Sequence, residues 1–92
     1  MSEYKYVFED ILVKLNAETR LRGKRTLDEW IAAERTCVLH EVNRQRAQRG
    51  HAPVVIADIE RAERLATGHS DYIRKYAHAA ADLVLRPKGW SP

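Results

Sequence analysis

The stretch from Thr26 to Gly50 limits this chain more than any other, because it carries a helical pattern with a chemical signal at each end. Thr26 followed three residues later by Glu29 is a capping box. The threonine hydroxyl accepts from a first-turn N–H, and the glutamate reaches back to the cap's own N–H. Gly50 can take the left-handed conformation that closes a helix, and Pro53 hinders an immediate restart. Between these signals Leu27, Ile31, Val38 and Val42 recur at three- and four-residue spacing, with Trp30 and Cys37 widening the same face. A helix over 27–49 is expected, and its length makes it the expected spine of a small helical domain.

The rest of the chain can be read around that helix. Tyr4, Phe8, Ile11 and Leu15, flanked by Val7 and Leu12, predict a first helix over 3–21. Tyr4 to Phe8 also suits a strand, but no second strand is there to pair with it. The short connection Arg22 to Arg25 makes the first two helices antiparallel neighbours. Val55, Ile56, Ile59, Ala62 and Ala66 predict a third helix over 54–67, opened by Pro53 and closed by Gly68. Ser70 is the expected cap of a fourth helix over 70–85, stopped by Pro87. Its inner face is Tyr72, Ile73, Tyr76, Ala80, Leu83 and Val84. The expected fold is thus an all-α bundle of about four helices in one domain, 1–87, followed by a tail, 88–92.

Composition narrows the function classes. Sixteen basic against 13 acidic residues give a net charge of +3, which permits nucleic-acid binding without requiring it. A single cysteine, Cys37, rules out an internal disulfide and favours a reducing compartment. No run is apolar enough to span a membrane and no signal segment is apparent, so a cytoplasmic protein without membrane contact is expected.

The chemistry-bearing residues form no catalytic or metal signature. The four histidines, at 40, 51, 69 and 78, never fall at the paired spacing a helical metal site needs, and His40 and His78 phase away from the apolar stripes. Glu34 and Glu41 flank Cys37 at helical spacing, the wrong surroundings for a thiolate nucleophile. The glycines at 23, 50, 68 and 89 lie at helix ends, not in a phosphate-binding loop. With Gly68 as a turn glycine, Arg64 and Arg74 occupy the small and apolar positions a helix-turn-helix would need. Neither an enzyme nor a cofactor is expected.

Three features remain. Glu34 breaks the apolar stripe and Glu41 sits at its margin. Glu34 either pairs with an arginine on a neighbouring helix or fixes register against a partner chain. Trp90, in a tail that cannot extend the last helix, either folds back on the bundle or anchors another chain. Basic clusters, Arg20, Arg22, Lys24 and Arg25 in one and Arg44, Arg46 and Arg49 in the other, sit near helix C-termini, where they complement the macrodipole. The expectation is a small accessory or regulatory interaction module, of a size common among phage-encoded proteins, binding another protein or its own copy as a dimer. Its expected partner-binding residues are Trp30, Glu34, Glu41 and Trp90. The alternative is nucleic-acid binding through the two arginine clusters.

Overall fold

A computed structural model describes residues 3–21 and 26–88, with side chains described for these except at 18–21, 27 and 30. Four helices follow one another: α1 Glu3–Leu21, α2 Leu27–Gln48, α3 Ile56–Ala66 and α4 Tyr72–Leu85. No strand occurs among the described residues, and Tyr4 to Phe8 lies within α1. None of these helices is long and apolar enough to cross a membrane.

The ends of α2 follow from its flanking residues. Glu29 N–H donates to Thr26 Oγ1 at 3.2 Å and Thr26 N–H to Glu29 Oε2 at 3.4 Å, closing the capping box. At the other end Gly50 has φ 72°, His51 N–H reaches Arg46 O at 2.9 Å and Gly50 N–H reaches Ala47 O at 3.1 Å. This paired bonding across a left-handed glycine occupies two carbonyls that the helix end would otherwise leave open.

Two helices begin later than their sequence signals suggest. Helix α3 starts at Ile56, not at position 54, because the Asn43 side chain holds Val54 in both directions. Val54 N–H donates to Asn43 Oδ1 at 2.8 Å, and Asn43 Nδ2 donates to Val54 O at 3.1 Å. An amide that satisfies both backbone groups of one residue competes with helix formation there. The first turn of α3 is then secured by Asp58, whose carboxylate accepts from Val55 N–H at 3.2 Å. Helix α4 starts at Tyr72 rather than at Ser70. Asp71 is its N-cap residue, and the Asp71 side chain makes no cap bond.

The helix directions follow from side-chain contacts. Arg49 meets Glu3, and Arg35 meets Glu63, so α1 and α3 both run antiparallel to α2. Tyr72 meets Glu34 at one end of α4 and Arg46 meets Leu83 near the other, so α4 runs parallel to α2. Tyr4 and Phe8 stack on His78, placing α1 and α4 side by side.

The core is Val7, Ile11 and Leu15 of α1, Val38 and Val42 of α2, Ile59, Ala62 and Ala66 of α3, and the inner face of α4. Helices α2 and α4 each pack against all three others, so the packing does not single out α2 as the spine. Helix α4 buries Tyr76, Ala77, Ala80, Ala81, Leu83 and Val84. Its alanines let neighbouring backbones come close, whereas α2 buries Glu34, Glu41, Gln45 and Arg46 beside its two valines. Polar side chains must find partners before their burial can favour folding.

Candidate functional site

The polar face of α2 divides into two clusters, one at each end of α4. At the start of α4, Glu34 is fully buried and its Oε1 accepts from the Tyr72 hydroxyl at 3.4 Å. One residue along α2, Arg35 grips Glu63 of α3 with two bonds, Nε to Oε2 at 2.6 Å and Nη2 to Oε1 at 3.2 Å. That side-chain hydrogen bond raises the Arg35 pKa, outweighing the cost of burial. Tyr76 packs edge-on against Tyr72, with ring centroids 5.8 Å apart, and its buried hydroxyl has no hydrogen-bond partner among the described residues. Burial, then the nearby carboxylates of Glu34 and Glu63, push both phenols well above their ordinary range.

Above this cluster an open cleft of about 440 Å³ separates the start of α2 from the end of α3. Ile31, Arg35, Glu60, Glu63, Arg64 and Tyr72 contribute to its walls. Among the described side chains, no residue of α1 beyond Leu15 is buried, and none of α2 before Glu34. Asn16, Ala17, Asp28, Glu29 and Ala32 are exposed, while Ile31 and Ala33 are half-buried. The seven α2 residues from 27 to 33 correspond to about 10 Å of helix at 1.5 Å per residue. This hairpin end, with the cleft beside it, is the candidate functional surface.

The second cluster lies at the other end of α4 and centres on Arg46, only 1% exposed. Its guanidinium donates to four backbone carbonyls: Ala52 at 2.7 Å, Leu83 at 2.6 Å, Arg86 at 2.6 Å and Pro87 at 2.9 Å. Three of these carbonyls come from the last turn of α4 and the residues just after it. They are groups a helix end leaves without intrahelical partners. The cation also sits where the helix dipole is negative. Burial lowers the Arg46 pKa. His51 adds a further contact, its Nδ1 lying 3.3 Å from Val84 O.

The other residues singled out by the sequence pattern divide between paired side chains and positions outside the described set. Glu41, 6% exposed, is held within α2 by Arg44 and by Gln45 Nε2 at 2.8 Å. Burial works to raise its pKa, but these donors, led by Arg44, bring it below the ordinary value. Arg49 pairs with Glu3 and also donates to Gln45 O at 2.9 Å. The side chains of Arg20 and Trp30, together with Arg22, Lys24, Arg25 and Trp90, lie outside the described residues. Cys37 is half-buried. No cluster of potential metal ligands occurs among the described residues.

His40 and His78 are both exposed, as their phasing suggests. His78 is nevertheless engaged. Its Nδ1 lies 2.6 Å from the Tyr4 hydroxyl, and its ring stacks on Phe8 with centroids 4.2 Å apart. Sequence reading missed this contact and the Arg46 clamp. The clamp's signal was faint: an arginine four residues after Val42, on the face that α2 turns towards its neighbours.

Compared with known proteins, the chain has no significant match to a family model, a curated protein or a solved structure.

Proposed function

We propose that this protein is a small non-catalytic interaction module whose binding surface is the free end of the α1–α2 hairpin. The simplest partner is a second copy of the chain. The observation that carries this reading is that the helices continue past Leu15 on α1 and Glu34 on α2, the last buried residues among the described side chains. A helical segment without tertiary packing is marginal in water, so a surface that covers this end stabilises it. Exposed alanines at 17 and 32 leave room for another helix to come close. The arginines 44, 46 and 49 favour this reading over nucleic-acid binding. Two are engaged by carboxylates and the third is buried, which leaves them poorly placed to meet phosphates.

Light scattering across a concentration series tests the proposal. Association is expected in the micromolar range, and Ala32→Arg, at an exposed position, is expected to abolish it without altering the helical content. A chain that stays monomeric throughout, or a variant that associates as the parent does, refutes self-association through this end. A gel shift that weakens steeply with salt, as counterion release requires, identifies nucleic acid as the partner instead.

A further inference from the structure

Arg46 fixes the place and direction in which the chain leaves α4, and that exit borders an apolar groove. The groove, about 200 Å³, is lined by Arg46, Ala52, Pro53, Val54, Val55 and Asp58 on one side and by Pro87 and Lys88 on the other. Two large apolar side chains stand exposed at the start of α3: Val55, 63% exposed, and the adjacent Ile56, 41% exposed. Donating to Arg86 O and Pro87 O, the Arg46 guanidinium pins the exit segment against the α2–α3 connection.

We infer that this groove is the docking site for Trp90 of the chain's own C-terminal segment. Three features converge on that occupant. Trp90 lies two residues beyond Lys88, itself a groove residue, within about 7 Å of extended chain. Gly89, between them, gives the backbone the freedom to reverse direction over so short a span. The segment supplies one large aromatic ring to a groove whose walls include two prolines, two valines and an alanine beside the polar Arg46, Asp58 and Lys88. An indole packed there covers apolar surface. A tethered side chain also has an effective concentration in the millimolar range, which a free partner rarely matches.

The test follows the environment of Trp90 in the full-length chain. In a Trp30→Phe background Trp90 is the only indole, so its emission and its quenching by acrylamide report its exposure. A fluorotryptophan-labelled parent chain, with the Trp90 signal assigned by its loss in Trp90→Phe, gives the same information by NMR without altering Trp30. The expected result is a shielded indole at concentrations where light scattering shows a monomer. Val55→Asp, at a surface position, should expose the indole while leaving the helical content unchanged. A hydrated indole in the parent chain overturns the inference, as does shielding that survives Val55→Asp. Shielding that appears only when the chain associates also overturns it, by making Trp90 an anchor for another chain.

Discussion

Replacing Arg46 by alanine probes the joint that holds the far end of the bundle together. The side chain is 1% exposed and makes four hydrogen bonds, all to backbone carbonyls. Three of these acceptors, on Ala52, Arg86 and Pro87, belong to exposed residues and regain water when the guanidinium is gone. The fourth, on Leu83, belongs to a fully buried residue. Leaving it poorly satisfied costs about 1–3 kcal/mol. The lost stem removes roughly 1–2 kcal/mol of apolar packing, at about 0.8 kcal/mol per methylene. Relief from burying a cation offsets part of the sum, leaving a net loss of about 2–3 kcal/mol, a large share of the roughly 5–15 kcal/mol that stabilises a typical domain.

For a domain of this size each kilocalorie lowers Tm by about 4–8 °C, so Arg46→Ala should melt roughly 8 °C or more below the parent. Arg46→Lys should recover only part of the loss, because an ammonium has three donors and lacks the planar fork that reaches separated carbonyls. Urea unfolding followed by circular dichroism measures both variants. If Arg46→Ala falls within about 1 kcal/mol of the parent, the carbonyls do not depend on this side chain and the reasoning fails.

Other outcomes follow from the polar groups around α4. Tyr76→Phe removes a buried hydroxyl that has no hydrogen-bond partner among the described residues, so it should be neutral or stabilise by up to about 1 kcal/mol. Tyr72→Phe removes the donor to buried Glu34 and should destabilise by about 1–2 kcal/mol in the same urea assay. Equal effects from the two changes would contradict the distinction drawn between these hydroxyls. Burial, then Arg74 and Lys75, hold the His78 pKa below 6.5. The folded state therefore binds that proton less readily than the unfolded chain. The resulting stability is present above about pH 6.5 and is lost as pH falls through the folded-state value. Melting curves between pH 8 and 5 should show this as a shallow decline that disappears in His78→Gln, roughly within the range where histidine titrates.

Much of the helical architecture was legible in local chemistry. The capping box at Thr26 and Glu29 and the left-handed glycines at 50 and 68 appear where their residue types place them. Such signals act within a few residues, so a sequence displays them directly. The later start of α3 was not legible, because Asn43 acts on Val54 from 11 positions away. The same limit hid how the core is shared. The length of α2 suggested a spine, but α2 and α4 both pack against every other helix, and the buried face of α2 carries Glu34, Glu41, Gln45 and Arg46 where α4 buries alanines. Glu34 stood out in the sequence as a break in an apolar stripe. The tyrosine that reaches it from α4 is 38 positions away and could not be named before the fold was known. The proposed functional surface was the least legible, because it is defined by where the described core packing stops.

Amide hydrogen exchange as a function of protein concentration tests the proposed hairpin-end interface most directly. In dilute solution, amides in the described hairpin end, at 16–17 and 31–33, should exchange faster than those at 38–42, where Val38 and Val42 lie in the core. Raising the concentration through the association range should slow exchange at the hairpin end and leave the core amides unchanged. If the hairpin end is already as protected as the core in the dilute monomer, or its exchange is independent of concentration while the chain associates, the interface lies elsewhere and the proposed function is wrong.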